Sequence, residues 1–162
     1  MKSKTLFLTR AAAIAALYVA LTCLSDVLGL AKGAVQLRIS EALCVLPAFS
    51  FSAVPGVTIG CLIFNFFFSG NILDIIFGTL ATFIGAVLAS LFKKYKYLAF
   101  IPTVVSNMVI IPFVIALGTT DGNLASVPFM MLTVGLGELI SCGVLGCLLI
   151  RALKKHQRTL FG

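Results

Sequence analysis

Six apolar stretches take up most of this 162-residue chain, at 6–30, 41–53, 55–69, 72–92, 98–117 and 127–150, parted by Gly, Pro and charge. A stretch of ~20 apolar residues can cross a hydrocarbon core. In lipid, every backbone N–H and C=O has to be satisfied internally, which leaves helices as the spanning form for such runs. The expected fold class is therefore an all-α integral membrane protein, a six-transmembrane-helix bundle in a single membrane domain, residues 1–162. The second and third stretches are too short to cross without neighbours, and one long helix from 41 to 69, giving five spans, is the competing arrangement. Pro55-Gly56 is a turn dipeptide and Pro47 already weakens the stretch before it, so the break is preferred.

Charge sets the expected orientation. Lys2, Lys4 and Arg10 lead in, Lys93, Lys94 and Lys96 fill a central loop, and Arg151, Lys154, Lys155 and Arg158 close the tail; together they are ten of the twelve Lys and Arg. Asp26, Glu41, Asp74, Asp121 and Glu138, all five carboxylates, fall within the apolar stretches or toward the other face. Cytoplasmic loops carry the Lys and Arg excess, so both termini are expected in the cytosol. Five spans would put the central cluster opposite Lys2 and Lys4. The same bias accounts for the formal charge of +7. No basic stripe interleaved with aromatics suggests nucleic acid. Hydrophobic residues make up 60% and charged residues 10%, against roughly 25% charged in soluble proteins. The N-terminus resembles a signal peptide, but the run from Leu6 to Leu30 is long enough to span and no small-residue cleavage site follows. It is expected to stay as the first helix. Acids facing outward point to a site for something taken up.

Glu138 is the most telling residue. Eleven residues from Val127, it lies about 16 Å along its helix, near the middle of a core ~30 Å thick. A carboxylate there costs roughly 2.5 kcal/mol or more. One account is a protonated Glu tying two helices together; the favoured one is a ligand contact in a polar cavity, with Gly135 and Gly137 permitting close approach. Asn107 sits at a comparable depth in the fifth stretch and either links helices, for about 0.6–2 kcal/mol, or reads the same ligand. Asp74, just after Gly70-Asn71, suits the positive end of a helix dipole or the site. Arg38 and Glu41 are three apart and suit an ion pair, and Ser40 reads as a helix start. Asn65 serves packing or the cavity. Phe64, Phe66, Phe67 and Phe68 are expected in lipid or core rather than as a stacking platform.

In the first helix, Ala12, Ala16 and Ala20 recur every four residues, as do Ala11 and Ala15 one step round. Small residues at this spacing let another helix lie close, either within the chain, against Gly56 and Gly60, or from a separate membrane protein. Cys23, Cys44, Cys61, Cys142 and Cys147 have no metal-like spacing and are expected to act as small buried hydrophobes. The chain lacks a G-x-x-x-x-G-K-[ST] phosphate loop, His156 is its only histidine, and no catalytic set or metal-ligand pattern is visible. A non-enzyme without cofactor or metal is expected, and uptake by it has to be downhill, ion-coupled or driven by a borrowed ATPase. A secondary carrier titrating Glu138, or a structural protein using its Ala and Gly faces, are the other classes.

Three separated runs carry a family resemblance: QLRISEALCVLPAFSFSAVPGVTIGCLIFN (Gln36–Asn65), LDIIFGTLATFIGA (Leu73–Ala86) and VGLGELISCGVLG (Val134–Gly146). They resemble the QueT family, the substrate-binding S-components of energy-coupling factor (ECF) transporters assigned to queuosine precursors. The resemblance implies a six-helix bundle in a bacterial cell membrane and an outward-facing site near the first loop and helices four to six. It also implies two partners, a membrane coupling protein and a pair of cytosolic ATPases. In related S-components an A-x-x-x-A face of the first helix meets the coupling protein; Ala12 and Ala16 match it, with Ala11 and Ala15 as the other register. The implied cycle tilts the whole subunit to deliver substrate inward.

The implied substrate suits the residues. A 7-deazaguanine presents a ring N–H and an exocyclic amine on one edge, matched to the two oxygens of a carboxylate through charge-assisted hydrogen bonds of roughly 1.5–3 kcal/mol each. Glu138 is the candidate for that edge. Asp74 or Glu41 would meet the ammonium of an aminomethyl precursor, and Asn107 and Gln36 the remaining polar atoms, with Arg38 at the same site.

Overall fold

The computed structural model describes residues 2–30, 35–68, 71–118 and 124–155. Lys32, Asp121, His156 and Arg158 lie outside them. Among the described residues every regular element is helical, and four helices are long and apolar enough to cross a membrane. The first, α1 (Lys2–Val27), is rich in Ala, the strongest helix former. It stops short of the expected residue 30 because Gly29 takes φ +73, the left-handed conformation that glycine supplies at helix C-termini. α2 spans Ala53–Phe68. α3 (Asp74–Phe92) opens on a π turn, Asp74–Gly78. α4 (Ile101–Gly118) contains Pro112. α5 (Val127–Lys154) is interrupted by a π turn, Leu139–Leu145.

The expected segment 41–53 is instead a ten-residue 3-10 helix, Ile39–Ala48, buried from Ser40 through Ala48. Such helices rarely exceed three or four residues. This one is held by contact with α1, α2, α3 and α5 around it. At about 2.0 Å per residue it covers roughly 20 Å, more than an α-helix of that length. The chain then turns at Phe49–Ser52, with the Phe49 N–H donating to Leu46 O at 2.8 Å and the Ala53 N–H to Ser50 O at 3.1 Å. The turn expected at Pro55-Gly56 is not there. Pro55 occupies the first turn of α2, where a missing N–H costs nothing.

Gly56 and Gly60 are instead the seat of α1. A Cβ on Gly56 would stand 2.9 Å from Ile14 and 3.0 Å from the Ala11 carbonyl; one on Gly60 would meet Tyr18 at 2.7 Å and the Ala15 carbonyl at 3.0 Å. Ala11 and Ala15 are therefore buried within the chain, whereas Ala12, Ala16 and Ala20 are exposed on the opposite face. Gly85 lets α3 cross α4 at Thr103, and Gly146 of α5 receives Val45 of the 3-10 segment. Of the phenylalanine run, Phe64 is buried while Phe66, Phe67 and Phe68 are more than half exposed, as lipid-facing side chains are.

The basic clusters share one end of the bundle. Lys96 Nζ lies 4.3 Å from the Phe49 ring and Lys154 Nζ 4.3 Å from the Tyr97 ring. Arg10 adjoins Ala11, which packs on Gly56 just beyond the Phe49–Ser52 turn.

Candidate functional site

Polar side chains buried between helices converge on one cavity. The 3-10 segment and the extended residues before it supply Gln36, Arg38 and Glu41; α3 supplies Gly78 and Thr82, α4 Asn107, and α5 Glu138. Ile111 and Val134 form its apolar wall. The space is about 30 Å³, room for roughly one water. A ring-sized ligand enters only if the walls part.

Glu138 is the last residue of regular α-helix before the π turn of α5. Single π turns inside α-helices recur at functional sites. Its Oε1 accepts a hydrogen bond from Asn107 Nδ2 at 2.8 Å, so the two mid-helix groups that match in depth also meet. That bond satisfies half of each. Glu138 Oε2 and Asn107 Oδ1 are buried and accept no hydrogen bond. Leaving a buried acceptor unpaired costs about 1–3 kcal/mol, more when it is charged. Two such acceptors on residues that line one cavity form a receptor for donors.

The glycines before Glu138 act as expected, on different neighbours. Gly135 faces the Met108 side chain, and Gly137 lies so close to the Gln36 backbone that a Cβ would overlap its carbonyl oxygen. Gly137 thus lets the Gln36 backbone lie across α5 and brings Gln36 to the cavity.

Glu41 is committed to the protein. Its Oε1 accepts from Tyr18 Oη and its Oε2 from Cys44 Sγ, the latter at 3.1 Å. Among the described residues no ion pair joins it to Arg38, which lines the same cavity. Ser40 does not cap its helix; its Oγ accepts from Thr22 Oγ1 at 2.7 Å. Ser25 Oγ accepts from the Ile39 N–H at 2.9 Å. A polar stripe on α1, Tyr18, Thr22 and Ser25, therefore fastens the start of the 3-10 segment.

Asp74 is absent from the lining of this cavity. It begins the π turn of α3, its Oδ1 close against Gly78. Asn71 takes the capping role, its Oδ1 accepting from the Leu73 N–H at 3.0 Å. Asn65 is buried and joins α2 to α3, donating to the Asp74 carbonyl at 3.3 Å. Two cysteines are more than small hydrophobes. Cys44 donates to Glu41, and Cys61 accepts from Thr82 Oγ1 and Asn65 Nδ2, each at 3.4 Å. Sequence reasoning passed over Tyr18 and Thr82. Hydroxyl groups at helical spacing, at positions 18, 22 and 25 of a membrane-length helix, are the signal that points to the first.

Among the described residues no group of His, Cys, Asp and Glu is arranged to hold a metal ion. The cavity presents two carboxylates, one guanidinium and two amides, a set suited to a small polar ligand with several donors.

No solved structure matches the chain. It is 38% identical over 96 residues to the queuosine precursor transporter QueT of Lactococcus lactis subsp. cremoris (strain MG1363), an alignment that covers 59% of this chain and 56% of that protein. The family model described as QueT transporter matches residues 8–155, a span that takes in α2 to α5 whole, α1 from its second turn onward and every residue lining the cavity, and the chain belongs to the QueT transporter family.

Proposed function

We propose that the chain is the substrate-binding S-component of an energy-coupling factor importer, and that the Glu138–Asn107 cavity captures a queuosine precursor of the 7-deazaguanine class. The observation that carries this is the pair of unpartnered acceptors, Glu138 Oε2 and Asn107 Oδ1. The base edge of a 7-deazaguanine offers neighbouring N–H donors to that pair. Gln36 and Arg38 line the same cavity and meet the carbonyl and ring acceptors of the same base. Glu41 holds Tyr18 and Cys44 and so acts by positioning Arg38 and Gln36. Asp74 meets an ammonium substituent only if the ligand extends past Gly78.

In this proposal the basic end faces the cytosol of a bacterial cell, following the Lys and Arg bias. The chain crosses six times with both termini inside, and the 3-10 segment with its turn forms the second, shortest crossing. A membrane coupling protein and two ATPases supply the energy. Ala12 and Ala16 are the register that meets the coupling protein, a choice supported by their exposure where Ala11 and Ala15 are buried. The cavity widens to admit the base.

The test is transport by the purified chain in ATP-free vesicles, alongside calorimetric titration with a 7-deazaguanine precursor. Binding without accumulation against a gradient is the expected result. Concentrative uptake by the chain alone would replace this function with a secondary carrier using Glu138 as its titrating group.

A further inference from the structure

At the basic end, a groove of about 720 Å³ opens between the start of α4 and the second half of α5. Its floor and walls are apolar, from Phe100, Leu139, Gly143, Val144 and Leu148, and Tyr97 and Arg151 lie at one end. At Tyr97 it adjoins a second recess of about 430 Å³ lined by Lys93, Lys94, Lys96 and Lys154. Lys154 marks the seam, its Nζ 4.3 Å from the Tyr97 ring. Among the described residues no carboxylate lines either recess, so five cations surround the mouth of an oily slot.

The dimensions select among occupants. Val144, Leu148 and Arg151 recur on one helical face, and Leu139 to Arg151 covers about 18 Å of helix. That is a little over half of a ~30 Å hydrocarbon core, or about one leaflet. The floor is shaped for a chain to lie in it: Gly143, inside the π turn, has only the Phe100 ring near it, 3.6 Å from where a Cβ would stand. A free anion would satisfy the lysines and leave the slot empty. A zwitterionic lipid would fill the slot but bring no net negative charge to Lys93, Lys94 and Lys154.

We infer that this composite recess binds an anionic phospholipid, with its phosphate among Lys93, Lys94 and Lys154 and an acyl chain over Phe100 and Gly143. Basic pockets between helices on the cytoplasmic side are where anionic headgroups are held. The site shares no lining residue with the Glu138–Asn107 cavity and stands whether or not that cavity binds a 7-deazaguanine.

The experiment titrates the purified full chain with phosphatidylglycerol or phosphatidylcholine and counts retained lipid by native mass spectrometry. Phosphatidylglycerol is expected to outlast phosphatidylcholine by about five-fold per engaged cation, from the attraction of one basic residue to an anionic surface. The double substitution Lys94→Gln with Lys154→Gln should therefore weaken retention about 25-fold. Val144→Trp, at the exposed rim of the groove, should weaken it without altering charge. All three positions are exposed, and unfolding temperatures establish that the variants fold. Equal retention of the two lipids overturns the assignment, as does indifference to either kind of variant. Displacement by excess inorganic phosphate marks a soluble-anion site, and retention of neither lipid leaves the groove without a lipid occupant; each of these outcomes overturns it too.

Discussion

Glu138→Gln separates a ligand-reading carboxylate from a helix-tying one. In the structure Glu138 Oε1 accepts from Asn107 Nδ2 and Oε2 is unpartnered. Gln retains one oxygen, so it can keep the bond to Asn107 and with it the link between α4 and α5. Its amide nitrogen then replaces Oε2 and points a donor where the base edge also presents donors. One charge-assisted bond is lost and a donor–donor contact appears, a change of roughly 2–4 kcal/mol. By the relation of 1.4 kcal/mol per decade, affinity should fall about thirty-fold to nearly a thousand-fold. Calorimetric titration of folded protein with a 7-deazaguanine precursor measures this, and the unfolding temperature should stay close to that of the parent. Parent-like affinity would remove Glu138 from the site. A helix-tying Glu138 predicts the opposite, with stability and affinity both kept, since Gln still accepts the hydrogen bond from Asn107.

The two alanine registers should respond differently. Leu at Ala11 or Ala15 forces α1 off Gly56 and Gly60 and should lower stability by about 1–3 kcal/mol through overpacking, measured by thermal unfolding. Leu at Ala12 or Ala16 should leave stability and ligand binding unchanged while blocking co-purification with a coupling protein. Gly137→Ala places a methyl on the Gln36 carbonyl, so Gln36 shifts and calorimetry should show weaker ligand binding, whereas Gly29→Ala changes only helix-end strain and should not. Tyr18→Phe removes the donor to Glu41 Oε1 and should cost about 1–3 kcal/mol in unfolding free energy, measured by chemical denaturation.

What could be read from the sequence follows from what lipid penalises. Polar groups in mid-membrane are costly wherever they occur, so Glu138 and Asn107 stand out by depth alone, and in the structure they share a hydrogen bond. Gln36, Arg38 and Glu41 lie on one short stretch that runs into the buried 3-10 segment and line the same cavity. Asp74 was judged by its place after a turn, which identifies a helix start but not the direction in which a side chain faces. The 3-10 form of Ile39–Ala48 had no local signature. Its composition suits an α-helix equally, and its conformation depends on four surrounding helices that no window of sequence contains. Pro55-Gly56 misled for a related reason: Pro is also welcome in the first turn of a helix, and Gly56 answers to Ala11 and Ile14, forty-odd residues away. Which alanines pack within the chain, Ala11 and Ala15, likewise awaited the position of α2.

The stripe Tyr18, Thr22 and Ser25 gives α1 a second consequence. On one side the helix grips the 3-10 segment that carries Glu41 to the cavity; on the other its Ala12–Ala16 face is bare. A helix with side chains is about 10–12 Å across, so a protein docked on that face stands one helix-width from the tether of the binding segment. No long relay is needed for each to sense the other. Binding free energies at two sites on a shared element are linked reciprocally. Whatever factor a docked partner imposes on the affinity for a ligand, the ligand imposes the same factor on docking. A subunit that loosens its cargo when it joins its partner is therefore also a subunit that joins its partner more readily once emptied.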